Sequence, residues 1–308
     1  MVDFNGPIFR ATTHLSETIP LHVHLVKGAH YAVWIDSGVK TMLPELLATM
    51  DRAEVRAADL RFVLHTHSHH DHIGCNARLK DHTGCLLAAP AYYAAWHADF
   101  ERHYQEFARS FPHLVPDTPE LRAEVLDVLD APRPLDLFID EGVQFNLGGG
   151  VNLRAYSLPG HMLAELGWFE ESTRTLILGD AVTGLDWPLF HSHLSVRDYR
   201  DSLARIRRLV YDLGVERVLF AHFPPMTPDE VGDLLARAAA YIDEVESTLI
   251  RLIASAPQVT LEDLWIGLCA RLERLREFRA LNMAAAHVQD LLARGVIREV
   301  ETQVYELR

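Results

Sequence analysis

The sequence predicts an α/β fold followed by a smaller helical module, and three observations carry that prediction. Short β-branched or aromatic runs alternate with stretches of helical spacing over the first two thirds of the chain. Several of those runs stop at His or Asp, and α/β proteins commonly place their chemistry at the ends of buried strands. From about residue 229 the pattern changes to long helices closed by two short alternating runs.

Taken in order, "LHVHLVKG" and "YAVWIDSG" are strand-like runs joined by a Lys-Gly turn, which predicts a hairpin. "KTMLPELLATMDRAEV" has helical spacing, and "LRFVLHTH" is an apolar run ending in histidines. Residues 90–131 are helical in pattern, aromatic and broken by prolines; they read as a helical insert, equally able to wall a pocket or to pack as core. Strand-like runs return at "GVNLRAYSLPGH" and "TRTLILGDAV", then "VRDYRDSLARIRRLVYDL" reads as an amphipathic helix and "VERVLFAH" as a further strand. A catalytic domain over residues 1–228, insert included, and a C-terminal module over 229–308 follow as the expected organisation. In that module a helix from about 229 to 254 leads into "VTLEDLWIGLCARL", opened by a Thr260-x-x-Asp263 capping pattern. A helix then ends at Gly295 before "VIREVE" and "VYELR", which together suggest a small winged-helix module.

Composition narrows the setting. The 308 residues are about half apolar, yet no run approaches the roughly 18 apolar residues of a membrane span. The N-terminal stretch lacks the layout of a secretory signal, so a cytoplasmic location is the expectation. Three cysteines, 75, 85 and 269, give no disulfide framework; Cys75 beside the histidines is read as a packing residue before a ligand. A net charge of −14 repels polyanions and disfavours nucleic acid, while leaving a small-molecule substrate open.

The chemistry concentrates in "LHTHSHHDHIG", residues 64–74, where five histidines and an aspartate fall within eight positions. His67 and His69, two apart, can present both rings to one side and form half of a tetrahedral metal site. Asp71 and His72 point elsewhere, towards a second centre. His161, Asp180 and His222, each at the end of an apolar run, are residue types able to complete the two halves. His65 and His70 lie off the pattern and are expected to orient ligands or pack, as are His22 and His24 on a strand.

With these residues in place the sequence resembles the metallo-β-lactamase superfamily over about residues 10–225. Its hallmark, T-H-x-H-x-D-H-x-G, is matched at every fixed position by Thr66 to Gly74; Pro159-Gly160-His161, Gly179-Asp180 and His222 match its later motifs. The resemblance implies a four-layer αββα sandwich carrying two divalent metal ions. One would take His67, His69 and His161; the other would take Asp71, His72 and His222, with Asp180 bridging. Zinc is the expected metal, with iron and manganese served by the same ligands. The segment before His222 resembles the linker helix of glyoxalase-II-like and winged-helix-bearing hydrolases.

Two ions sharing a water lower its pKa towards neutrality and polarise a carbonyl or phosphoryl oxygen. The expected activity is therefore hydrolysis of an ester or thioester, or a lactone, by a metal-bound hydroxide that Asp71 and Asp180 orient and deprotonate. Departures from family patterns refine this. Asp180 argues against a true β-lactamase, which lacks the bridging carboxylate; Thr183 stands where the family's lactonases have tyrosine; His69 excludes the flavo-diiron type. Trp187, Phe190, His191 and His193 are the candidate substrate contacts, with Met162, Leu163 and Phe223 as apolar lining. Two rivals remain: a nuclease using Arg271, Arg274, Arg276 and Arg279, and a one-iron oxygenase of the persulfide-dioxygenase type. A homodimer rests on analogy alone.

Overall fold

The computed structural model describes residues 6–183 and 193–307. Two sheets face each other. In the first, β1 (Ile8–Ser16), β2 (Ile19–Lys27) and β3 (Ala32–Ile35) run antiparallel, and β4 (Leu60–Leu64), β5 (Leu86–Ala89) and β6 (Leu137–Phe138) add in parallel, in that order. In the second, β7 (Gln144–Gly148), β8 (Val151–Ser157), β9 (Leu166–Glu170) and β10 (Thr175–Ile177) form an antiparallel meander, and β11 (Arg217–Leu219) joins β10 in parallel.

The strands alternate between two cores, as a period of two requires. On β3, Val33 and Ile35 face the space between the sheets, while Ala32 and Trp34 face outward. The inter-sheet core joins Ile8, Val26 and Leu64 from one sheet to Leu153, Trp168 and Leu219 from the other. Helices cover both outer faces. In the first sheet's connections lie α1 (Leu43–Arg52), the one-turn α2 (His70–Ile73) and α3 (Asn76–Thr83); Leu46, Met50 and Leu79 pack on Trp34 and Val63. The helix-sheet-sheet-helix order is thus that of a four-layer αββα sandwich.

The helical insert consists of α4 (Ala94–Ala98), α5 (Phe100–Phe107) and α6 (Pro119–Leu126). Beyond the second sheet's strands come α7 (Val196–Asp212) and α8 (Pro228–Ala254). Ser195 caps α7 by accepting from Asp198 N–H, and Val196, Tyr199, Leu203, Ile206 and Leu209 recur on its buried face. The 27 residues of α8 begin with a reciprocal capping box between Thr227 and Glu230.

After α8 come β12 (Val259–Thr260), α9 (Leu261–Arg271), α10 (Phe278–Ala293), β13 (Ile297–Glu301) and β14 (Val304–Leu307). The capping pattern read at Thr260 and Asp263 is formed in both directions. Gly295 takes φ 68° just past α10, a conformation that glycine adopts without strain. The predicted hairpin gains a third strand, in the order β12-β14-β13. This C-terminal region shares one core with the insert: Trp96, Tyr104 and Phe107 pack with Leu264, Trp265, Phe278 and Leu281. No helix of the described residues is long and apolar enough to cross a membrane.

Candidate metal centre

The centre forms where strand ends from the two sheets meet. β4 ends at Leu64, and the chain turns through residues 65–69 into α2, whose single turn carries Asp71 and His72, the His72 ring lying 4.0 Å from that of His67. The turn is held by a neighbour the sequence reading passed over. Asp36, just beyond β3 at φ 62°, accepts from Thr66 N–H (2.8 Å) and the Thr66 hydroxyl (2.8 Å). Its Oδ2 also lies 2.9 Å from His72 Nδ1, and Oδ1 lies 3.5 Å from His65 Nδ1. From the second sheet come His161 after β8, Asp180 after β10 and His222 after β11. Gly179 permits the approach, since a Cβ there would lie 2.3 Å from Thr66 Oγ1.

The donor atoms converge as two groups among the described residues. In each of them, His67/His69/His161/Asp180 and Asp71/His72/His222, the ligand-type atoms lie within 4.8 Å of one another. His69 Nδ1 is 3.1 Å from His67 Nε2 and 3.0 Å from His161 Nε2. Two ligand atoms held tetrahedrally at zinc distances would be roughly 3.3 Å apart, so the three nitrogens suit one small cation. Asp180 Oδ2 lies 3.7 Å from His161 Nε2, 3.7 Å from His72 Nε2 and 3.4 Å from His222 Nε2. One oxygen therefore reaches both groups. Asp71 Oδ2 is 3.3 Å from His222 Nε2 and 3.8 Å from His72 Nε2.

Around these atoms three of the far ring positions are engaged. His222 Nδ1 donates to Pro20 O (2.8 Å), His72 Nδ1 meets Asp36, and His67 Nδ1 lies 3.1 Å from Thr66 Oγ1. Such contacts fix which nitrogen faces the centre. His72 Nε2, by contrast, is buried without a hydrogen-bond partner, as a donor atom awaiting a cation would be. The donor set of imidazoles and carboxylates fits two divalent ions.

Electrostatics follow from burial. It pushes His67 and His69 well below the ordinary histidine value, helped by neighbouring imidazoles, and keeps them neutral as ligands must be. For His72 burial pulls downward, but Asp71, Asp36 and Asp180 outweigh it and hold the ring well above its usual value. His222 is raised to about 9, with burial opposing and Asp180 and Asp71 prevailing. Both aspartates are held well below the carboxylate range despite burial, Asp71 chiefly by His72 and Asp180 chiefly by His222. The carboxylates around His72 and His222 thus make this half of the centre a place that favours positive charge.

Other candidates fall elsewhere. Cys75 is buried with its thiol pushed up to about 12 by burial, and belongs to neither donor group. His70 is half-buried, with its ring 6.2 Å from that of His103. His22 is buried, bonds Thr12 Oγ1 (2.9 Å) and is lowered to about 4 by burial. His193 has 0% exposure; its Nε2 lies 2.9 Å from His287 Nε2 and its ring stacks on Tyr199, so it packs behind the centre, not in an open pocket. Met162 is likewise fully buried, whereas Leu163 is 38% exposed. Trp187, Phe190 and His191 lie outside the described residues.

The reading also missed Glu165. This fully buried carboxyl accepts from Asp180 N–H (2.9 Å) and sits 3.7 Å from His67 Nδ1. Its only sequence signal is its place in "GHMLAELG", four residues after the ligand-type His161. Burial, with Asp180 adding to it, pushes Glu165 well above the usual carboxylate value.

A family model described as the metallo-beta-lactamase superfamily matches residues 21–222. Among solved structures, a metallo-beta-lactamase family protein from Thermus thermophilus is 19% identical, with 98% of this chain and 99% of that chain covered and a TM-score of 0.75. A beta-lactamase domain protein from Burkholderia ambifaria is 17% identical, covering 98% and 93%, with a TM-score of 0.74. At these identities the structural likeness speaks for the fold.

Proposed function

The chain belongs to the metallo-β-lactamase superfamily, and from that premise we propose that it is a dinuclear metal-dependent hydrolase. Its substrate would be a small, partly apolar ester or thioester, with a lactone as the near relative. The observation that carries this reading is Asp180 Oδ2, poised between the imidazoles of both donor groups. We assign His67, His69 and His161 to one ion, Asp71, His72 and His222 to the other, and the bridge to Asp180. We take zinc as the metal, since imidazole and carboxylate donors at these spacings suit it.

When bound, two divalent cations supply Lewis acidity and a nucleophilic water at neutral pH. The chain's residues do the rest. Asp71 and Asp180 are ionised, as their depressed pKa values require, and accept hydrogen bonds that orient the attacking water. Thr66 and Asp36 keep the ligand turn rigid through the bonds already described. Exposed Leu163 offers apolar surface beside His161 for the substrate.

We disfavour nucleic acid as the substrate. Arg279 is not free to meet phosphate, because its guanidinium is buried between Glu124 (2.7 Å) and Glu277 (2.8 Å). The order helix, strand, helix, helix, strand, strand supports a winged-helix-like reading of the module, used as one wall of a helical cap that it forms with the insert α4–α6. The test is elemental analysis of the protein and of Asp180→Ala, followed by screening of thioesters, esters and lactones. Near two metals per chain, falling in the variant, with turnover of one such class, is expected. One iron per chain, unchanged in the variant, with oxygen consumption would overturn the proposal.

A further inference from the structure

We propose that Glu165 is a positioning residue that aims the bridging carboxylate and thereby sets how tightly the centre holds divalent cations. This rests on the dinuclear reading above and adds to it an outer residue. Glu165 stands between His161 and β9, and its own backbone is pinned. Its carbonyl accepts from Leu158 N–H (2.8 Å), and the next residue, Leu166, donates to Thr66 O (2.8 Å). From this fixed base Oε1 accepts from Asp180 N–H at 2.9 Å. The same oxygen lies 3.7 Å from His67 Nδ1, so one side-chain atom faces a residue of each kind, the bridge and an imidazole ligand.

The placement is costly. Oε2 is buried with no hydrogen-bond partner, so it has lost its water without gaining a donor in exchange. A small residue would avoid that penalty but would leave Asp180 N–H without its acceptor. The peptide that joins Gly179 to Asp180 is held on both edges, its N–H by Glu165 at 2.9 Å and its carbonyl by the longer bond from Ala221 N–H at 3.4 Å. The shorter of the two restraints on the peptide plane therefore comes from Glu165. That plane sets the direction in which the Asp180 carboxylate leaves the chain towards His161, His72 and His222.

The prediction separates the acceptor from the mere filling of space. Glu165→Gln keeps an acceptor oxygen at the same reach, Glu165→Ala removes it, and Glu165→Asp draws it back by one methylene. Full-length protein stripped with a chelator is titrated with Zn²⁺ against a chromophoric competitor, and separately with Co²⁺ while its visible absorption is recorded. Removing an outer partner of a metal ligand typically weakens binding about 10–100-fold, which is the loss expected for Ala and Asp, with an altered Co²⁺ spectrum. Gln should stay within about threefold of the parent and keep its spectrum. Should Ala fail to fold by circular dichroism, the Asp and Gln pair carries the same contrast. Parental affinity in Ala or Asp, or a loss in Gln equal to theirs, would overturn the role of Glu165 while leaving the two-metal reading intact. A parent that binds fewer than two ions would overturn the dinuclear reading itself and this inference with it.

Discussion

Asp36→Asn would test the framework beneath the ligands. Asn tolerates the left-handed φ of 62° at this position, so the backbone should survive the change. The carboxylate presents Oδ1 to Thr66 N–H and Oδ2 to both the Thr66 hydroxyl and His72 Nδ1. An amide offers one acceptor and one donor. Placing its NH2 at the Oδ1 position opposes the Thr66 N–H, and placing it at the Oδ2 position opposes two donors. The milder choice leaves one buried N–H unsatisfied, about 1–3 kcal/mol, and weakens the charged bond to His72, itself worth about 1.5–3 kcal/mol. A loss of about 3 kcal/mol in the metal-free protein at neutral pH follows.

The pH dependence has a definite sign. Burial opposes ionisation of Asp36, but His72 and His65 outweigh it and hold its pKa below the usual carboxylate value. Its contribution is therefore complete above about pH 4 and fades as pH falls through the depressed value. The gap between parent and variant should shrink in acid. Urea unfolding of chelator-treated protein at pH 7 and at low pH measures both quantities. A variant within about 1 kcal/mol of the parent at neutral pH, or a gap that widens in acid, would refute the reasoning.

Two further outcomes follow from the packing. The thiols of Cys75 and Cys269, pushed by burial to about 12 and about 11, and of Cys85, also raised by burial, should resist a chromogenic disulfide at pH 8 in the native state; all three should react in denaturant. Fast labelling of Cys75 in folded protein would show that its pocket is open. His287→Leu should cost about 1–3 kcal/mol by stranding His193 Nε2, whereas pairing it with His193→Leu should cost less than the sum of the single changes. Strict additivity in urea unfolding would show that the contact carries no coupling energy.

Much of this centre was legible because metal ligands advertise themselves by residue type and spacing. The cluster at 67–72 and the three strand-end residues named the two donor groups that the fold brings together. Strands with uniform burial were readable too, such as β3 and β10. β1 escaped because its period breaks into half-exposed and exposed positions towards Ser16. Asp36 and Glu165 escaped for a different reason: an isolated acid carries no spacing signal, and each acquires its role from partners 30, 36 or 15 residues away. The packing of His193 against His287, 94 residues apart, was invisible for the same cause.

Helix α8 belongs to two cores at once. Val231, Leu234, Leu235, Ala238 and Ile242 pack beneath the second sheet, while Val245, Leu249 and Ile253 enter the helical cap. At 1.5 Å per residue its 27 residues make a rod of about 40 Å. Such a rod ties the melting of one half to that of the other, because unravelling either end strips apolar contacts from a region the other end still supports. The cap and the sandwich should accordingly denature in a single step, and a truncation that stops before residue 228 would leave the second sheet's outer core covered by α7 alone, with the apolar surface that α8 covers exposed and prone to self-association.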